Sequence, residues 1–182
     1  MTQSLLDIVG DNDEVIGQAS RSEIHEKSLL HREVHVFFVT KNKEIVFQKR
    51  KPSSDGISRL DATVGGHVEL GASYLETALK EMQEETGLNV NENDLIFWRK
   101  IRAYEDFSSI GKVNNVFRSV YIYRFDGLLD KLKVEENVGN GFILFPMKDF
   151  LERAAWIEKG YFVTVFLREK EMTELFEEIA NG

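Results

Sequence analysis

Two short apolar runs open the chain, Leu6-Asp7-Ile8-Val9 and Glu14-Val15-Ile16-Gly17, on either side of Gly10-Asp11-Asn12-Asp13. Extended runs flanking a Gly/Asn/Asp cluster predict a β-hairpin. Residues 21–30 suit a helical turn, and residues 34–39 and 44–48 read as a strand pair joined by a polar turn at 40–43. Residues 52–59 (PSSDGISR) carry turn chemistry and predict an exposed loop, and short extended pieces surround Gly65-Gly66 between 60 and 70.

The clearest periodicity follows. Ser73 and Glu76 have the spacing of a capping box, Leu75, Ala78, Leu79 and Met82 recur at helical intervals, and Gly87 stands where a left-handed C-cap belongs. A helix over 73–86 is expected. Residues 95–101 and 116–125 read as strands, the second from its aromatic and β-branched content. A shorter strand over 142–145 leads to a helix near 147–157, and an amphipathic helix closes the chain over about 164–180. Strands on both sides of a central helix predict a mixed α/β (α+β) layered fold.

Composition narrows the class. With 182 residues, 42% apolar and 30% charged, the chain fits one globular domain with a C-terminal helical extension. It shows no internal repeat, no basic-then-apolar leader and no run of eighteen apolar residues, so a cytoplasmic location is expected. The absence of cysteine excludes disulfides, thiolate metal sites and cysteine nucleophiles. A net charge of −8 argues against nucleic acid as a partner.

On the predicted helix, Glu81, Glu84 and Glu85 occupy one arc of about 100° beside the apolar stripe, with Glu85 bordering it. Like charges at this spacing cost helix stability. A hard divalent cation with oxygen ligands offsets that cost, and Mg²⁺ with a phosphate substrate is its common setting. Taken alone, such a face is more often simply solvated.

The segment GGHVELGASYLETALKEMQEETGL resembles the Nudix box, Gly-x5-Glu-x7-Arg-Glu-U-x-Glu-Glu-x-Gly-U, where U is a bulky aliphatic residue. Gly66, Glu81, Met82, Glu84, Glu85, Gly87 and Leu88 match it, while Ala72 and Lys80 stand where the box has Glu and Arg. In the family those two form a salt bridge near the helix start, so losing both is self-consistent, and Glu69 is a candidate replacement carboxylate. The resemblance implies a Nudix fold over 1–182, a mixed sheet between helices, with an N-terminal hairpin at 5–20, the box at 66–88 and the helical extension from about 147. It also implies a Mg²⁺-dependent hydrolase, with Mn²⁺ as an alternative, acting on a small-molecule diphosphate. Glu81, Glu84 and Glu85 would be the catalytic and metal residues, and the Gly66 carbonyl a further ligand.

The N-terminal hairpin, SEIHEKSLLHREVHVFFV and the QKRK strand end resemble the branch related to isopentenyl-diphosphate isomerase. That enzyme places a cysteine before the Gly-His of its box, where this chain has Gly65, and a Glu-Asn-Glu segment where this chain has Asn114-Asn115-Val116. His35 and His67, and loosely His25, fall near the isomerase's metal histidines. Without the carboxylates, a packing or hydrogen-bonding role is expected for these and for His31. Hydrolysis is therefore the leading reading. A catalytically weakened nucleotide-binding module is the alternative, and an isomerase-like protein a lesser one. Lys49 and Arg50 are candidates for gripping substrate phosphates, with surface charge at a strand end as the competing reading. Glu135 and Glu136 are candidates for an extra acidic group. A homodimer is one option, with the aromatic strand 116–125 as its surface.

Overall fold

The computed structural model describes residues 4–52, 58–107, 112–134, 139–150 and 170–181. The N-terminal pattern forms a separate two-stranded hairpin of β1 (Leu5–Val9) and β2 (Val15–Ser20), turning through Asp13 at a positive φ of 65°. Asp tolerates that left-handed conformation better than most residues. Its carboxylate is then aimed at a network in which Arg32 Nε lies 2.6 Å from Oδ1 and Tyr74 donates to both oxygens at 3.0 and 2.9 Å. Lys100 completes it.

After the short helix α1 (Arg21–Glu26) comes the main sheet, built from β3 (His31–Val39), β4 (Glu44–Arg50), β5 (Leu60–Asp61), β6 (Val64–His67), β7 (Leu95–Phe107), β8 (Lys112–Arg124) and β9 (Gly139–Pro146). Its order is β5-β4-β3-β8-β7, with β6 also pairing β3 and β9 pairing β4. β3 and β8 run parallel and the other described pairs antiparallel, so the sheet is mixed. β3 starts at His31 rather than at residue 34, because its parallel rungs to β8 begin at His31↔Val116. β7 and β8 likewise extend beyond 95–101 and 116–125, pairing with each other to Phe107↔Lys112. β8 lies between β3 and β7, hydrogen-bonded on both sides. Its edges are thus unavailable as an interface, and Tyr123 and Tyr121 pack on Phe38 and Phe97.

Helix α2 (Tyr74–Thr86) has both reciprocal bonds of the Ser73/Glu76 capping box and a left-handed Gly87 at φ 75°. It buries Ala78 and Met82 against Val34, Val36, Phe38 and Val64. Full burial of Met82 alone contributes about 1.5–3 kcal/mol. On the opposite face, α4 (Lys170–Asn181) packs Met172, Leu175 and Phe176 on Phe37, Phe47 and Val120. The sheet is sandwiched between helices as expected. A short α3 (Met147–Phe150) follows β9, and the rest of the 147–157 and 164–169 expectations lies outside the described residues.

The site owes its position to a split in the sheet. β3 and β4 pair directly for two rungs, Phe38↔Val46 and Val39↔Ile45. Buried Thr63 then bridges them, accepting from Phe38 N at 3.0 Å and donating to Val46 O. Past that point β3 takes β6 as its neighbour and β4 takes β5. Gly65-Gly66 therefore arrive between the two strands, directly under α2.

Candidate active site

Gly66 pairs with Val34 and faces α2. A Cβ placed on Gly66 would run into the carboxyl group of Glu81, so a larger residue there would displace that carboxylate from over the strand. One turn on, Glu85 is 8% exposed at the margin of the apolar stripe, and Gln48 Nε2 donates to its Oε2 at 3.3 Å. Gln48, from β4, is itself buried at 3%. Glu84 faces solvent, about half exposed, with Lys80 at 4.0 Å. Lys80 bonds Glu69 at 2.8 Å, and the resulting hydrogen bond raises the lysine's pKa. Glu69 thus gives Lys80 a carboxylate partner from the residues that precede the helix.

Arg50 ends β4 with its Nε 2.7 Å from Asp61 Oδ2 and its Nη2 bonded to the same oxygen. Its side chain is 46% exposed. Lys49 precedes it, partly exposed, in register with Leu60. Glu135 and Glu136 lie outside the described residues.

The acidic helix has a polar counterpart on the other face of the sheet, where Arg118 is 1% exposed. Register places Glu33 beside Arg118 on β8 and beside His67 on β6, and Arg118 Nε donates to Glu33 Oε1. His35 Nε2 lies 4.0 Å from Glu33. Burial first, and then the charges of Arg118, Arg50 and His67, hold the His35 pKa well below its usual value. Farther along, three imidazoles from α1, β3 and β6 meet. The His25, His31 and His67 centroids are 5.1 to 5.6 Å apart, with His31 and His67 stacked. His25 Nδ1 bonds Val113 O at 3.1 Å and His31 Nδ1 bonds Leu29 O at 2.9 Å. Since a carbonyl only accepts, the proton sits on Nδ1 in both rings. His35 stands apart from this trio, edge-on to Phe37. His25 and His31 thus each make one hydrogen bond to a backbone carbonyl, and His31 and His67 stack.

Among the described residues, no three His, Asp or Glu side chains converge on one point as a finished metal site. In chemical kind the donors fit a hard divalent cation. The Glu81 carboxylate lies over the Gly66 backbone, Glu85 is one turn away, and all are oxygens.

Buried Gln48, Glu33 and Arg118 did not stand out in the sequence. A signal for Arg118 exists: in VFRSV it shares strand parity with Val116 and Val120, so its side chain must face inward with them.

The NUDIX domain family model matches residues 29–166. A protein of Nostoc sp. described as an uncharacterised Nudix hydrolase is 37% identical over 158 residues, covering 86% of each chain. One of Clostridium acetobutylicum, described likewise, is 33% identical over 128 residues, 68% of this chain and 60% of its own length. A third, from Yersinia pestis, is matched over 46% of its length. The chain thus spans less than two thirds of two of these relatives. Among solved structures, the DR0079 protein of Deinococcus radiodurans aligns with a TM-score of 0.63 at 26% identity, covering 96% of this chain and 98% of that one. A MutT protein of Methanosarcina mazei aligns at 0.58 and 14% identity, over 84% and 96%, a likeness of fold. No helix among the described residues is long and apolar enough to cross a membrane.

Proposed function

Because this chain belongs to the NUDIX domain family, we propose that it is a pyrophosphohydrolase that uses Mg²⁺, or Mn²⁺ in its place, to cleave a diphosphate linkage in a nucleoside diphosphate derivative or related organic pyrophosphate. The observation that carries the reading is the meeting of Glu81 with the Gly66 backbone, with Glu85 one turn on beside Gln48. In this reading Glu81, Glu85 and the Gly66 carbonyl hold the cation, and Glu84 is either a further ligand or the group that orients the attacking water. When bound, the metal supplies a water of lowered pKa and offsets charge on the diphosphate oxygens. Arg50, oriented by Asp61 and partly exposed, grips the substrate phosphates with Lys49 beside it. Rate comes mainly from position and electrostatics: water attacks one phosphorus and the other phosphate leaves.

The ion pair of Lys80 with Glu69 supports an intact enzyme over a weakened binding module, since the helix brace is kept by another residue. Gly65 and Asn114, where the isomerase has its cysteine and an acid, support hydrolysis over isomerisation. The test is a hydrolysis panel of nucleoside diphosphate derivatives, dinucleoside polyphosphates, nucleoside triphosphates and isoprenoid diphosphates, with and without Mg²⁺ or Mn²⁺. Metal-dependent release of phosphate-bearing products from at least one member is expected. Binding without turnover across the panel would favour the binding module, and double-bond migration in an isoprenoid diphosphate would favour the isomerase.

A further inference from the structure

We propose that Gln48 is a positioning residue for the cation centre, orienting the Glu85 carboxylate from β4. The inference rests on the reading of Glu85 as a metal ligand. Gln48 is 3% exposed and Glu85 8%, and the amide nitrogen lies 3.3 Å from Glu85 Oε2. A carboxylate that far from water needs hydrogen-bond donors to hold its orientation. The donor supplied here is neutral. It bonds one oxygen without adding a positive charge, where a lysine in the same position would compete with a cation for the carboxylate.

The fold explains how an amide comes to this place. Gln48 stands opposite Asp61 on β5 and opposite Phe142 on β9, so β4 is paired on both sides and cannot slide. Val46, two residues earlier on the same strand face, is packed in the α2 core. The amide is therefore delivered to the helix from a rigid strand rather than from a loop. Groups of this kind, bonded to a metal ligand rather than to the metal, commonly change metal affinity by about 10–100-fold when removed.

The test is Mn²⁺ binding to the folded chain without substrate, followed by the electron paramagnetic resonance signal of free Mn²⁺. Gln48→Met keeps length and bulk and removes the donor. It should raise the Mn²⁺ dissociation constant by about tenfold. In hydrolysis, the Mg²⁺ concentration for half-activation should rise in step, while KM at saturating metal stays within about twofold. Gln48→Thr, suited to a strand and too short to reach Glu85, carries the same expectation if the Met variant does not fold. In a Glu85→Gln background, Gln48→Met should cause no further loss of Mn²⁺ affinity, as required of two groups acting through one contact. A Met or Thr variant that binds Mn²⁺ within twofold of the unmutated chain overturns the inference and leaves the hydrolase reading standing. So does a full effect of Gln48→Met in the Glu85→Gln background. If the unmutated chain binds no Mn²⁺ and hydrolyses nothing, the assignment of Glu85 fails and the role of Gln48 falls with it.

Discussion

On the α2 face of the sheet, carboxylates gather along one helical arc at the margin of the core, with Glu81 over Gly66 and Glu85 beside a neutral amide. On the opposite face, Glu33 and Arg118 sit in mid-strand and bind each other, and His35 beside them is kept neutral by burial and by nearby positive charge. One face lines up three carboxylates along a single helical arc. The other balances its charge internally. Similar residue types serve different ends, and the sign of the local sum separates them: an acidic cluster suits a ligand, whereas a matched buried pair suits a unique strand register.

The sharpest way to break this contrast is to leave Glu33 buried without its partner. Arg118→Met should cost about 3–5 kcal/mol in urea unfolding, because an isolated buried carboxylate is left behind. Adding Glu33→Leu should recover most of that loss, since an apolar pair of similar bulk often equals a buried ion pair. A single variant within about 1 kcal/mol of the unmutated chain would show that the pair is solvated and the contrast mistaken.

Not all charge on the α2 face serves the cation, and Asp13 marks the boundary. Burial pushes its pKa up, but bonds from Lys100, Arg32 and Tyr74 outweigh that and hold it below the usual 3.8. A depressed folded-state pKa contributes stability that is fully present above the unfolded value and is lost as pH falls through the folded one. Asp13→Asn, which tolerates the same positive φ, should therefore cost about 2 kcal/mol at pH 7. The gap between variant and parent should close progressively below about pH 4 in thermal melts. A gap that persists unchanged at pH 2 would contradict the assignment.

A smaller effect comes from His35. Its folded-state pKa lies far below the usual 6.5, so the unfolded chain takes up a proton that the folded chain refuses. Its contribution is present above about pH 6.5 and declines as pH falls. Between pH 6.5 and 5.5 the parent should lose about 1 kcal/mol that His35→Gln does not lose. Parallel stability curves for the two would place His35 in contact with water.

The two faces also differed in how openly the sequence displayed them. The helix 73–86 was legible to the cap because local rules fix it: a capping box, an apolar stripe and a glycine at the left-handed terminus. The placing of Gly66 at the same site as Glu81 was implied by the resemblance to the Nudix box. The pairing of β3 with β8 has no local signature, since its rungs join residues some 85 positions apart, from His31↔Val116 onward. Without that pairing, Glu33 and Arg118 are two unrelated charges in the sequence. The same holds for Gln48 and Glu85, which meet only because the sheet splits at Thr63. The Lys80–Glu69 bond lay between these cases. Its residues were visible as candidates, but the loop conformation joining them was not.

The most direct test of the central claim is the metal-dependent turnover of Glu85→Gln on the best substrate of the panel, with a thermal melt of the same preparation. Turnover should fall by at least about a hundredfold while the variant stays folded, because the neutral amide fits the space beside Gln48 but offers no charge to a cation. A folded Glu85→Gln protein with near-parental turnover would contradict the assignment of the acidic helix as the catalytic centre.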